Sequence, residues 1–365
     1  MRNVLITGGA GFIGSNFVRY LLKAEPQARI INLDALTYAG SQENLVDLPD
    51  TTRHIFVQGD ICDRPLVEGL MREHQVDTVV HFAAESHVDR SILGPKQFIQ
   101  TNIIGTYTLL DAARQLWIVD NMLKPVASSV TPHFHHISTD EVYGSLAPDD
   151  PPFSETTRYA PNSPYAASKA SSDHLVRSYG HTYGLPFTIT NCSNNYGPYQ
   201  FPEKLIPLII LNALQGIPLP IYGDGQQIRD WLYVEDHCEA IWTVLRKGTP
   251  GETYNIGGNN QPTNLTVVNT LCEIMDECRP NSPHVPHESL VQKVTDRPGH
   301  DRRYAVNISK IEGDLSWTPR YSLEDGMIKT AEWYLNNQGW VNAILKEQDY
   351  QNWLTKNYQK RGAAP

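Results

Sequence analysis

Between positions 138 and 169 the chain carries Ser138-Thr139-Asp140-Glu141 and Tyr165-Ala166-Ala167-Ser168-Lys169. The second run puts Tyr165 and Lys169 at i and i+4, on one face of a helix. A free tyrosine titrates near ~10, too high for a base at neutral pH. A neighbouring ammonium favours the phenolate and lowers that value. Tyr165 could then take the proton of an alcohol as hydride leaves the same carbon, with the Thr139 hydroxyl bonded to the same oxygen. Asp140 and Glu141 add an acid and a base that simple hydride transfer does not need. Together the residues suit oxidation of a substrate, elimination of water and return of the hydride.

Such side chains need a scaffold. Val4–Ile6, Ile30–Leu33, Ile55–Val57, Thr78–Phe82, Phe134–Ser138 and Phe187–Thr190 read as buried parallel strands. Helical segments near 12–24, 64–74, 96–117 and 164–183 lie between most of them. The alternation predicts an α/β fold: a Rossmann-type doubly wound parallel sheet with a smaller C-terminal α/β substrate-binding domain. We place the first domain at 1–191, with a return segment near 231–257, and the second mainly at 192–365, where turn residues become frequent. Trp117 to Pro132 reads as a surface excursion.

Gly8-Gly9-Ala10-Gly11-Phe12-Ile13-Gly14 follows the first strand and opens a helix. Glycines at 9, 11 and 14 permit a tight turn, let backbone N–H groups approach a pyrophosphate and set it at a helix N-terminus. Asp34 ends the second strand, 20 residues beyond Gly14. A carboxylate there accepts hydrogen bonds from ribose hydroxyls and repels a 2′-phosphate. With Ala35-Leu36-Thr37 following and no adjacent Arg, NAD is favoured over NADP. Asp60-Ile61 is placed to contact adenine, and the small Ala83 and Ala84 after Phe82 let the cofactor pass close to the backbone.

The composition excludes several classes. The 365 residues carry a net charge of −10, so no global basic field exists for nucleic acid. No apolar run approaches the ~20 residues of a membrane span. The N-terminus enters a strand directly, so no signal peptide is expected. Five cysteines without metal-ligand spacing point to reduced thiols and a cytoplasmic setting. Cys272 and Cys278 fall on one helix. No metal pattern appears among the 13 histidines, and His133, His135 and His136 read as structural residues of a strand.

The chain resembles the extended short-chain dehydrogenase/reductase family and, within it, the dTDP-glucose 4,6-dehydratases. The matching runs are Thr37–Gly40, Ala84–Ser91, Ser138–Gly144, Asn191–Pro198 and Asp296–Asp301. The resemblance implies a homodimer with NAD bound tightly through turnover, and dTDP-glucose as substrate. It extends the NAD set to Phe12, Ile13, Ala35, Leu36, Thr37, Ser86, Thr101, Tyr165, Lys169 and Asn195. It makes Glu141 the base at C5 of the glucose ring and Asp140 the acid at C6. One must be ionised while the other is protonated, so their surroundings must separate their pKa values. Arg229 and Arg297 are the candidates for the diphosphate, because a planar guanidinium donates two hydrogen bonds at once. Ser86, Thr139, Asn194, Lys204, Leu205, Pro220, Tyr222, Asn264 and His300 complete the substrate set, with Tyr222 framing the base. Two alternatives stay open: a nucleotide-sugar epimerase or decarboxylase, which has no use for Asp140-Glu141, and a catalytically silent NAD-binding protein.

Overall fold

The computed structural model describes residues 1–126, 130–296 and 300–346. Its centre is a seven-stranded sheet with every pairing parallel. The first four strands are β1 (Asn3–Thr7), β2 (Arg29–Asp34), β3 (His54–Gln58) and β4 (Thr78–His81). A two-stranded hairpin follows, β5 (Ile118–Val119) with β6 (Met122–Leu123), where an excursion was expected. The sheet resumes with β7 (His133–Thr139), β8 (Phe187–Cys192) and, after a long detour, β12 (Thr253–Ile256). Its order is β12-β8-β7-β4-β1-β2-β3. The order reverses between β1 and β4, and ligands of doubly wound sheets bind in the crevice at such a switch point.

Helices cover both faces. α1 (Phe12–Ala24), α2 (Arg64–Glu73), α3 (Val88–Leu93), α4 (Pro95–Phe98), α5 (Thr106–Trp117) and α6 (Pro164–Tyr183) come from the first half. The single helix expected over 96–117 is α4 and α5 joined by a π-helical stretch, Ile99–Gly105. α3 is too short to show a period in the sequence. One face of the sheet packs Leu5, Ile31 and Val79 on Val67, Leu109 and Val176. The other packs Val4, Ile6 and Ile30 on Phe17 and Leu21.

A separate core lies beyond β8. α7 (Leu205–Gln215), α9 (Asn264–Cys278), α11 (Leu323–Asn336) and α12 (Gln338–Leu345) bury Ile206, Ile210, Val267, Leu271, Met327 and Ile344 together. Two small parallel pairs sit beside it: β9 (Asn194–Tyr196) with β11 (Trp231–Tyr233), and β10 (Leu219–Tyr222) with β13 (Val291–Val294). Trp231 therefore stays outside the main sheet. The chain comes back through α8 (Val234–Lys247), whose Val234, Cys238 and Ile241 pack on α1 residues, and then through β12. α10 (Ser309–Leu315) packs against β12.

Candidate active site

At the carboxyl ends of the central strands a cleft of about 460 Å³ runs between the sheet and the second core. Gly8 has φ +73, the left-handed region that glycine tolerates, and an added Cβ would lie 2.6 Å from the Ala83 nitrogen. A Cβ at Gly14 would lie 2.2 Å from the Gly8 oxygen. α1 begins at Gly11 with no side-chain cap, so its N-terminal N–H groups face the turn without a competing hydroxyl or carboxylate. This floor fits the pyrophosphate of a dinucleotide. Asp34 fits the ribose end: its carboxylate accepts Ala10 and Leu36 N–H groups, each at 2.8 Å, and its oxygens retain further lone pairs. Burial pushes the Asp34 carboxyl up, and those two N–H groups pull it back.

Every NAD residue named from the sequence lines this cleft except Gly9 and Leu36. Leu36 adopts φ +53 and contributes its backbone N–H to Asp34 instead. Sequence adjacency could not say which part of the residue would be used.

The reactive side chains come from two elements. β7 ends at Thr139, whose hydroxyl accepts the Glu141 N–H at 3.3 Å and starts a 3₁₀ turn over Asp140–Tyr143. α6 starts at Ser163, which caps the Ala166 N–H, with Pro164 in the first turn and Gly184 at φ +70 closing the helix. Tyr165 thus sits in the first turn and Lys169 one turn on. Both are buried, and the Lys169 ammonium donates to the Ile137 carbonyl at 2.7 Å.

The two carboxyls differ in setting. Asp140 is 1% exposed, whereas Glu141 is half-buried at the cleft wall. Burial raises Asp140 well above the carboxylate range, reinforced by the charges of Glu141 and Asp230 against the weaker pull of Arg229. Asp230 is itself pushed up to about 7 by burial. Burial and the neighbouring charges thus favour the protonated form of Asp140, the form a proton donor needs.

Tyr165 departs from expectation. Its phenol lies well above its ordinary value, raised first by burial and then by Glu141 and Cys192, with the Thr139 hydroxyl pulling the other way. The Lys169 ammonium donates to the Ile137 carbonyl. Burial brings Lys169 down to about 8, with Asp173 the main opposing charge. Loss of the ammonium as pH rises through about 8 should thus end activity on the basic side. Asp173→Asn removes the charge that holds Lys169 up, so that descent should begin at lower pH. A kcat profile with an unmoved basic limb would dismiss the link.

Ser86, Asn194, Lys204, Leu205, Pro220, Tyr222, Arg229, Asn264 and His300 also line the cleft. Arg297 lies outside the described residues. Arg229 is fixed in place: it donates to the carbonyls of Ile228 (2.8 Å) and Asp301 (2.9 Å), and its guanidinium stands 4.4 Å from the Tyr304 ring centroid. Tyr222 meets His300 edge-on at 6.3 Å, and His300 Nδ1 lies 2.6 Å from the Asp296 carboxylate.

Sequence reasoning missed the supports. Asn102, in the π-helical stretch, bonds both backbone groups of Glu85 and the Ser168 hydroxyl, tying the loop after β4 to α6. Asp173 is fully buried and accepts from Ser138 (2.9 Å) and Tyr159 (2.8 Å), with His136 Nε2 at 3.3 Å. Its place four residues after Lys169 was the one available signal. Among the described residues no cluster of three or more His, Cys, Asp or Glu could hold a metal ion, and no helix is long and apolar enough to cross a membrane.

The family model for GDP-mannose 4,6 dehydratase matches residues 5–330. dTDP-glucose 4,6-dehydratase 1 of Escherichia coli K12 is 55% identical over 98% of this chain and 99% of its own length. The Xanthomonas campestris pv. campestris (strain B100) dTDP-glucose 4,6-dehydratase is 57% identical over 94% and 96%. The chain belongs to the dTDP-glucose 4,6-dehydratase family. A crystal structure of the Streptomyces venezuelae family member with NAD bound superposes with TM-score 0.83 at 46% identity, covering 94% of this chain and 99% of that one. A Thermotoga maritima UDP-glucose 4-epimerase shares the fold at TM-score 0.79 and 28% identity, covering 92% of this chain and 99% of that one. Family membership and the NAD-bound relative agree with the glycine floor and Asp34 described above.

Proposed function

We propose that the chain converts dTDP-glucose to dTDP-4-dehydro-6-deoxy-D-glucose. The observation that carries this reading is Asp140, buried with its carboxyl pushed up, beside half-buried Glu141, in one cleft with Tyr165 and Lys169. Gly8, Gly11, Gly14 and Asp34 would hold NAD. When bound, NAD would supply the hydride acceptor for C4 and, once reduced, the hydride donor for C6. With the Lys169 ammonium and the positive ring of bound NAD favouring its phenolate, Tyr165 takes the C4 hydroxyl proton, and Thr139 bonds the same oxygen. The C4 ketone makes the C5 proton acidic, and Glu141 removes it. The C5–H electron pair forms the C5–C6 double bond as the C6–O bond breaks, and Asp140 gives its proton to the departing hydroxyl, which leaves as water. Glu141 then returns a proton to C5. Arg229 and Arg297 hold the diphosphate, Tyr222 frames the base, and Asn194, Lys204, Leu205, Pro220, Asn264 and His300 hold the rest of the nucleotide sugar. An epimerase needs no acid at C6, so Asp140 favours the dehydratase.

We also propose the division of labour given from sequence: residues 1–191 with the return near 231–257 hold NAD, and 192–365 mainly hold the nucleotide sugar. Exposed Ile99, Ile104 and Tyr107, with Tyr183 on α6, support a homodimer. The five free cysteines support a cytoplasmic setting, which cell fractionation would check.

The test is purified protein with dTDP-glucose and no added cofactor. The product should be lighter by one water with the nucleotide intact, and the protein should sediment as a dimer. Turnover only after NAD is added would mean the cofactor is lost on purification. Turnover of UDP- or GDP-glucose instead would correct the base, silence with all three would end the dehydratase reading, and a monomer would end the homodimer.

A further inference from the structure

Two of the matched sequence runs, Thr37–Gly40 and Ala84–Ser91, have no part in the chemistry above beyond lining the cleft. They meet at Arg90. The Arg90 guanidinium lies 3.8 Å from the centroid of the Tyr38 ring. Its Nε and Nη2 both stand 3.3 Å from Glu203 Oε2, while Glu203 Oε1 is 3.9 Å from His87 Nε2. Tyr38 also meets Phe201 edge-on at 6.2 Å. The contact therefore joins three loops: the one after β2, the one after β4 that becomes α3, and the one before α7. All three line the same cleft, through Thr37 and Gly40, His87 and Asp89, and Phe201 and Lys204.

We propose that Tyr38, Arg90 and Glu203 form a clasp across the cleft that keeps the dinucleotide bound from one turnover to the next. The proposal rests on the NAD reading given above. A dinucleotide running from the glycine turn to Asp34 lies under the 35–40 loop, because Asp34 leads directly into it. To leave, its adenosine end must part that loop from the 201–204 segment. Tyr38, Arg90 and Glu203 link those two segments. Glu203 is 5% exposed, so its attraction to Arg90 is poorly screened by water. Arg90 also faces the Glu85 carboxyl, and Glu203 has Lys204 and Asp89 near it as well. The ring supplies what a carboxylate cannot: a flat face that holds the guanidinium on the side of the cofactor loop.

The test compares NAD content after purification and the rate at which bound, isotope-labelled NAD exchanges into excess unlabelled NAD. Tyr38→Leu and Arg90→Met should lose NAD roughly tenfold faster, the scale of one desolvated cation–ring contact. Tyr38→Phe keeps the ring and should retain NAD nearly as the unaltered protein does. Arg90→Met leaves buried carboxylates without their cation; if it fails to fold, Tyr38→Leu against Tyr38→Phe decides. Unaltered exchange in Tyr38→Leu overturns the clasp, as does equal loss from Tyr38→Phe and Tyr38→Leu. If the unaltered protein neither carries nor binds NAD, the cofactor reading fails and the clasp falls with it, an outcome distinct from rapid exchange.

Discussion

Tyr165→Phe is expected to slow turnover by about 10²–10⁴-fold, the range for losing a positioned acid–base group. Phenylalanine keeps the ring, which meets Phe98 edge-on at 6.3 Å, so the first turn of α6 should stay packed. The Ser163 cap of that helix is untouched. What is lost is the one phenol placed to take the C4 hydroxyl proton. Neither Lys169 nor Cys192 stands ready to replace it: Lys169 is bonded to a carbonyl, and Cys192 is pushed up to about 12 by burial. The block should fall before water is lost, so no intermediate should build up. Measured turnover within a factor of a few of the unaltered protein would remove Tyr165 from the reaction.

Glu141→Gln should fail at a later point with a loss of similar size, about 10²–10⁴-fold. The amide matches the carboxyl in shape and cannot remove the C5 proton. Oxidation at C4 should survive, because Tyr165, Thr139 and Lys169 are unchanged. A sugar lacking a pair of hydrogens but still holding its C6 hydroxyl should then accumulate, visible by mass after rapid quenching. Solvent deuterium should not enter C5. Neutralising Glu141 also removes one of the charges that raise Asp140, but burial is the larger cause and remains. Burial is likewise the larger cause for Tyr165, which Glu141 also raises, so both groups keep the direction of their shifts. Normal turnover with normal deuterium entry at C5 would leave Glu141 without a role.

The parts legible in sequence share one property: they are local. Runs such as Val79–Val80 declare a strand buried on both faces. Gly8 to Gly14 declare a turn, and Tyr165 with Lys169 declare a helical face. Strand ends then gather these pieces because a doubly wound sheet leaves few other arrangements. The supports are different. Asn102 reaches Glu85 and Ser168, while Arg90 reaches back to Tyr38 and forward to Glu203, the latter 113 positions away. No periodicity links such partners. The Tyr165 phenol was read against its helical neighbour Lys169, yet its state is set by burial together with Glu141 and Cys192 from other elements. Leu36 shows a further limit, since its contribution is a backbone N–H and not the side chain that the letter names.

The late arrival of β12 bears on how the protein can be cut. Its hydrogen bonds cover the outer edge of β8, and it is reached only after the chain has passed through β9, α7, β10, β11 and α8. A fragment ending at residue 191 would keep the glycine turn and Tyr165 but leave that edge of the sheet bare, a template for pairing with another chain. It would also lose Val234, Cys238 and Ile241 from the apolar face beside α1. The two halves of the cleft are thus sewn together by the route of the backbone itself, so neither can be expressed or exchanged as a cassette without carrying residues 234–256 along.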